Sequence, residues 1–267
     1  MIGKKQKVAV VTGAGSGIGL AIARQLKKEG YIVYNLSRHQ GQAQDMSFYP
    51  CDVTSEEQVK AALTHVIKEQ GHISVLVCGA GMGISGAVEF ISEEDEKQQM
   101  EVNLMGAMRC ARLAASYMRE QGEGKILFLS SLAAVFPIPF QAHYAAGKAA
   151  VNVFSDALGM ELKRFSVQCS CLIIGDVKTG FTAARRKNQT GDQLYGGAIS
   201  RSVARMEHDE QNGMSPDVVA KVAIRTLRRR HMPSQKPVGA GCMFLYQLLR
   251  FLPHRMVLSL LYQLYAR

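Results

Sequence analysis

With 267 residues, 47% of them apolar, the chain is long enough for one large α/β domain with a sizeable core, and no repeat, low-complexity stretch or obvious linker divides it. A net charge of +10 admits an anionic partner, but the basic runs Arg185-Arg186-Lys187 and Arg228-Arg229-Arg230 are neither interleaved with aromatics nor carried on a nucleic-acid module, so they read as solvated faces and nucleic acid is set aside. Six scattered cysteines (Cys51, Cys78, Cys110, Cys169, Cys171, Cys242) form no CxxC or Cys/His metal spacing, which excludes a zinc site and predicts free thiols in a reducing compartment.

Lys4-Lys5-Gln6-Lys7 leads straight into a strand-like run with no signal-peptide apolar region, so a cytoplasmic setting is expected. Lys7 to Thr12 is rich in β-branched residues, as in a strand buried on both faces of a parallel sheet. The turn Gly13-Ala14-Gly15-Ser16-Gly17-Ile18-Gly19 follows, then a helical stretch, Leu20 to Glu29, stopped at Gly30. Strand, glycine turn and helix present free backbone N–H groups and a positive helix end to a pyrophosphate. The glycines let the phosphates approach the backbone, although the spacing is Gly13-x3-Gly17-x-Gly19 rather than G-x-G-x-x-G.

Tyr31 to Leu36 reads as the second strand. An acidic residue at its end would hold the ribose hydroxyls of NAD, whereas an arginine accommodates a 2′-phosphate. Here Ser37-Arg38 stands there with no carboxylate, which predicts NADP(H). Phe48 to Val53 is the third strand, ending at Asp52 and followed by a helix capped by Thr54 or Ser55. Ile73 to Cys78 breaks into Gly79-Ala80-Gly81, and a long helix over Glu93 to Glu120 contains Asn103. Lys125 to Ser130 delivers Ser131 to a strand's carboxyl end, where open α/β sheets bind ligands. A helix from His143 to Arg164 carries Tyr144 and Lys148, and Val167 to Ile174 is the sixth strand. The alternation predicts an α/β fold: a single Rossmann-type doubly wound parallel sheet over 1–241, with helices on both faces.

Tyr144 and Lys148 are four residues apart and so share a helix face. A phenol normally titrates near 10, and a nearby ammonium favours the phenolate. With the Ser131 hydroxyl beside it, the pair reads as an oxyanion clamp with a general acid/base.

Taken together, Thr12-Gly13-x3-Gly17-Ile18-Gly19, Asp52-Val53, Ala80-Gly81, Asn103, Ser131, Tyr144-x3-Lys148 and Thr179 resemble, in order and spacing, the short-chain dehydrogenase/reductase family over residues 7–181. The resemblance implies an NADP(H)-dependent oxidoreductase interconverting a secondary alcohol and a ketone. Tyr144 would be the acid/base, Ser131 would orient the carbonyl, and Lys148 would bind the nicotinamide ribose and lower the tyrosine pKa. Asn103 would hold a relay water, Asp52 and Val53 would contact adenine, and Gly175, Val177 and Thr179 would pass beside the carboxamide. It also implies a homodimer or homotetramer. Two departures stand out: Cys78-Gly79-Ala80-Gly81 replaces the family's Asn-Asn-Ala-Gly, whose asparagines would stiffen the sheet edge, and Ile174-Gly175 replaces its Pro-Gly. A non-catalytic NADP(H) sensor on the same fold is the rival reading; it would not need all four of Asn103, Ser131, Tyr144 and Lys148.

No nucleophile elbow, H-E-x-x-H or P-loop occurs. Residues 181–214 are polar and glycine-punctuated, as in a mobile lid. In 242–267, Leu245, Leu248, Leu249 and Leu252 before Pro253, and Met256, Val257, Leu260, Leu261 and Leu264 after it, fall at helical spacing. Interrupted by Arg250, Pro253, His254 and Arg255, neither half can span a bilayer. They predict two helices that pack on the domain or across a subunit interface, or else border the pocket or rest on a membrane. Any of these favours a lipophilic substrate (a steroid, retinoid or fatty-chain carbonyl) over a sugar, with 3-oxoacyl thioesters as a further alternative.

Overall fold

The computed structural model describes residues 6–248 and 251–267; Lys4, Lys5, Leu249 and Arg250 lie outside them. Seven strands, β1 (Val8–Thr12), β2 (Ile32–Ser37), β3 (Ser47–Pro50), β4 (Val75–Cys78), β6 (Gly124–Ser131), β7 (Val167–Ile174) and β9 (Gln235–Val238), form one parallel sheet. Their order is β3-β2-β1-β4-β6-β7-β9, so the winding reverses between β1 and β4. That switch point is where the carboxyl ends of the strands leave a crevice.

Alternation along each strand divides the apolar residues between two cores. Val8 and Val10 face α2 (Glu56–Gln70), α4 (Gly106–Gln121) and α5 (Ala142–Leu162), while Ala9 and Val11 face α1 (Gly17–Lys28) and α8 (Pro216–Arg228). All six cysteines are buried and unpaired, so the expected free thiols are what the fold contains.

Most expected elements lie within a few residues of their expected bounds, with three differences. β9 (Q-K-P-V) is too short, polar and proline-bearing to announce itself; it lies at the sheet edge on β7, where a missing N–H is tolerated. The long helix over 93–120 is interrupted: α3 (Glu93–Met100) passes through a π-turn, Glu101–Met105, into α4. The 181–214 segment carries α6 (Phe181–Ala184), β8 (Arg186–Lys187) and α7 (Ala198–Gln211), and β8 pairs with β5 (Ile84–Ser85).

The last two helices, α9 (Ala240–Leu248) and α10 (His254–Tyr265), flank Pro253 as the spacing predicts. They pack on the domain through buried Cys242, Val257 and Leu261. Tyr246 Oη donates to Gln235 Oε1 at 2.8 Å, and Tyr265 Oη donates to Asp209 Oδ2 at 3.3 Å. Among the described residues no helix is long and apolar enough to cross a membrane.

Candidate active site

One continuous cavity of about 900 Å³ runs along the carboxyl edge of the sheet, from the glycine turn to the C-terminal helices. Gly13 sits at φ +72°, and a Cβ there would come within 2.9 Å of the Ala80 backbone. At Gly19 a Cβ would run into the carbonyl oxygen of Gly13. Ser16 precedes α1 without a side-chain cap, so the first N–H groups of that helix are left for another acceptor. Gly15, Ser16, Gly17 and Ile18 all line this end.

The adjacent wall carries Ser37 and Arg38, then Asp52 and Val53. Ser37 Oγ donates to Asn35 Oδ1 at 2.6 Å, while Asn35 Nδ2 donates to Gln40 O at 3.1 Å, which fixes the loop after β2. Arg38 is exposed and, among the described residues, has neither hydrogen bond nor ion pair. The Asp52 carboxylate accepts from Thr54 N at 2.9 Å and Thr54 Oγ1 at 2.8 Å, an Asx turn that halts the chain before α2; Ser55, not Thr54, caps that helix.

At the floor, Ala80 and Gly81 follow β4. The Thr12 hydroxyl accepts from Gly79 N at 3.0 Å and Ala80 N at 3.2 Å and donates to Val77 O at 3.4 Å. It thereby secures the turn at which the sequence departs from the family's Asn-Asn-Ala-Gly. A side chain at Gly79 would meet Thr12 O at 2.8 Å, which explains glycine there.

Asn103 is the one candidate residue that does not line the cavity. Its amide donates to Met82 O and accepts from Met82 N, both at 2.8 Å. Through these two bonds it pins the loop after β4, a second role beside the relay water expected of Asn103. The π-turn puts the amide in that position.

Ser131 ends β6, and its Oγ accepts from Ala133 N at 3.1 Å. Lys148 Nζ donates to Leu129 O at 2.8 Å and Ser130 Oγ to Lys148 O at 3.4 Å, lacing α5 to β6 so that Tyr144 faces Ser131. Lys148 Nζ stands 5.7 Å from the centre of the Tyr144 ring. Burial pushes the phenol up to about 12, against the hydrogen bond from Ser131; Glu210 also raises it and Arg185 lowers it. Burial likewise pulls Lys148 down to about 8. The expected lowering of the tyrosine by Lys148 therefore does not hold in this structure. Desolvation outweighs a lysine whose own charge is disfavoured and whose ammonium faces a carbonyl.

Past β7, Gly175, Val177 and Thr179 line the opposite wall, with Thr179 beside Gly17. Phe181 places its ring 6.1 Å from that of Tyr144, and Arg185 lies 5.7 Å from the Phe181 ring. Arg185 is only 5% exposed and pairs with Glu210, which also accepts from Thr182 Oγ1 at 2.6 Å. The run Arg185-Arg186-Lys187 is thus solvated only in part: Arg185 is buried, whereas Arg186 and Lys187 are exposed and pair at the surface with Asp95 and Glu207. Beyond the phenol the wall turns apolar, formed by Leu245, Leu248 and Leu252, then Val257, Leu260, Leu261 and Leu264.

The family model described as short chain dehydrogenase matches residues 7–190. The chain belongs to the short-chain dehydrogenase family. A 3-ketodihydrosphingosine reductase of Bacteroides thetaiotaomicron is 35% identical over 236 residues, covering 87% of this chain and 88% of that protein. A 3-oxoacyl-[acyl-carrier-protein] reductase of Mycobacterium tuberculosis is 34% identical over 175 residues, 66% of this chain and 71% of that one. Among solved structures, a short-chain dehydrogenase from Streptomyces avermitilis superposes with a TM-score of 0.83 at 26% identity, covering 92% of this chain and 93% of that one.

As a short-chain dehydrogenase the protein is an oxidoreductase of the nicotinamide-dependent kind, and its glycine cradle fits a pyrophosphate: two backbone approaches that a methyl would block, and a helix N-terminus of twelve residues' standing. A phenol held at about 12 keeps its proton at neutral pH, which suits it to protonate a carbonyl oxygen. The Arg185–Glu210 pair escaped the sequence reading. A signal was present in Thr182 and Arg185, three apart in and just past the short helix α6, against the acidic end of α7.

Proposed function

We propose that this short-chain dehydrogenase is an NADPH-dependent reductase of a ketone carried on a long apolar chain, with a 3-keto sphingoid base as the leading substrate. The observation that carries this reading is the continuity of the cavity from Tyr144 into the leucine-walled trough of α9 and α10. A sugar would gain nothing from such a wall, whereas each buried methylene contributes about 0.8 kcal/mol. The likeness to the Bacteroides 3-ketodihydrosphingosine reductase points the same way.

In this reading the glycine turn and the α1 N-terminus hold the pyrophosphate, Asp52 and Val53 border the adenine, and Lys148 holds the nicotinamide ribose. Gly175, Val177 and Thr179 pass beside the carboxamide. Arg38, exposed and unpaired at the rim, is the group to meet a 2′-phosphate, which supports NADP(H) over NAD(H). The bound nicotinamide supplies the hydride. Ser131 orients the carbonyl and Tyr144 gives its proton to the carbonyl oxygen, so the ketone becomes a secondary alcohol. Asn103 positions the loop through Met82. The arm 242–267 meets the lipid phase from which the substrate is drawn, at the cytoplasmic side. A homodimer or homotetramer fits the exposed Val153 (71%) and Met160 (72%) of α5, and sedimentation tests it.

A second reading, reduction of 3-oxoacyl thioesters, is favoured by the Mycobacterium relative. Following NADPH absorbance with 3-ketodihydrosphingosine, a long-chain 3-oxoacyl thioester and a hexose in parallel decides between them. The highest kcat/KM is expected for the first; turnover of the thioester alone would transfer the assignment, and turnover of the hexose alone would sink it.

A further inference from the structure

We infer that α9 and α10 dock on the surface of an anionic lipid bilayer, so that the cavity opens toward the headgroups. This rests on a long-chain lipid ketone being the substrate. Four of the leucines that line the cavity, Leu245, Leu248, Leu260 and Leu264, are also exposed, so the rim of the mouth is apolar and faces outward. Around that rim, Phe244 is 67% and Phe251 83% exposed, and neither lines the cavity. Contiguous apolar surface of this kind on a water-soluble domain marks a contact site.

Charge selects the occupant. Between Ala240 and Arg267 the sequence carries Arg250, His254, Arg255 and Arg267 and no aspartate or glutamate. Arg255 and Arg267 are exposed, and the exposed Arg201 donates to the Arg267 carbonyl at 3.3 Å, adding a third cation beside α10. A second copy docked through this face about a twofold axis would set like charges against each other, since the neighbouring Asp209 is already held by Tyr265 and Arg205. A bilayer with anionic headgroups answers both features, taking the phenylalanines and leucines into its interface and pairing with the arginines. Neither helix can cross a membrane, so the arm lies in the interface plane. A lipid ketone could then enter the trough without its chain passing through water.

The test is co-sedimentation of the full chain with extruded vesicles of phosphatidylcholine alone or mixed with phosphatidylglycerol, without substrate. Binding is expected on the mixed vesicles and should weaken severalfold on phosphatidylcholine or at high salt. The double variant Phe244→Ser, Phe251→Ser and the single variant Arg255→Glu should each lower the bound fraction about fivefold or more. Their kcat/KM on a short water-soluble ketone should stay within about twofold of wild type, which reports that the fold is intact. Absence of binding to mixed vesicles, or binding that the variants leave unchanged, overturns the inference. So does a shift of the double variant from oligomer to monomer without vesicle binding, which would make the arm a subunit interface. Reduction of 3-ketodihydrosphingosine carried on albumin tests the substrate separately. If that fails while vesicles bind, docking stands and the substrate reading falls; if it succeeds while vesicles do not bind, the reverse holds.

Discussion

The two ends of the cavity are made of different material. At the glycine end the walls are backbone, and at Gly13 and Gly19 even a methyl group is refused by main-chain atoms that cannot swing away. At the far end the walls are leucine side chains on two terminal helices, several of them half in solvent. A backbone wall reads a ligand shared by many enzymes and tolerates almost no change. A side-chain wall can be refitted one rotamer at a time. Tyr144, Ser131 and Lys148 stand at the seam.

The sharpest break is at the seam itself. Tyr144→Phe keeps the ring and removes the proton, so kcat should fall by about two or more orders of magnitude while NADPH binding, followed by fluorescence titration, stays the same. Retention of more than about a tenth of the activity would mean another group gives the proton.

At the backbone end, Gly13→Ala adds a positive-φ penalty to a clash with Ala80, about 3 kcal/mol together, or roughly 10 °C in Tm. Gly180→Ala is the control, because Gly180 lines the same cavity with nothing within 4 Å of a Cβ; it should leave Tm nearly unchanged. Equal effects of the two substitutions would erase the contrast between the ends.

Lys148 links stability to pH. Its folded pKa, pulled down to about 8 from 10.5, means that the unfolded chain holds the proton more tightly. Its contribution is therefore present above pH 10.5 and is lost as pH falls through 8. Tyr144, raised from 10.0 to about 12, acts oppositely: its contribution is present below pH 10.0 and is lost as pH rises through 12. Between pH 8 and 10 the lysine dominates, and Lys148→Met should remove a rise of at most about 1.4 kcal/mol per pH unit from denaturant titrations. An unchanged slope would show that the ammonium is better solvated than its burial suggests.

Arg38→Ala should raise KM for NADPH about tenfold and leave NADH nearly untouched, since it removes one charge partner of a 2′-phosphate. A wild-type enzyme that already prefers NADH in kcat/KM would end that assignment. The smallest effect belongs to the leucine end, where Leu248→Ala should raise KM for a long-chain ketone about threefold with kcat unchanged. The same increase for a short ketone would show that the trough does not read chain length.

The contrast also governed what could be read in advance. The glycine turn was legible because strand, turn and helix are contiguous, and their roles follow from local backbone freedom. Tyr144 and Lys148 were legible for the same reason, being one helical turn apart. The lid was not. Arg185 finds Glu210 twenty-five residues on, and a charge run takes its meaning from what folds over it, so Arg185, read as solvated, is buried, while Arg186 and Lys187 stay exposed in surface pairs. Asn103 was identified by position, yet its hydrogen bonds to Met82 depend on a π-turn that no periodicity announces. The direction of the tyrosine shift failed because helical spacing gives the neighbour but not the burial. β9 was missed because an edge strand with a proline carries little apolar signal.

The hydroxyl of Thr12 ties the strand before the glycine turn to three successive peptide groups at the end of its neighbour, across the point where the winding reverses. It adds a side-chain fastening to the β1–β4 ladder at the point where the two halves of the crevice meet, and so fixes how the chain leaves β4 toward the reacting side. A valine in its place would keep the shape but leave the N–H groups of Gly79 and Ala80 without that acceptor, and the turn after β4 would lose its tie to β1. The floor between the two ends of the cavity is thus trimmed by a gauge no wider than a hydroxyl.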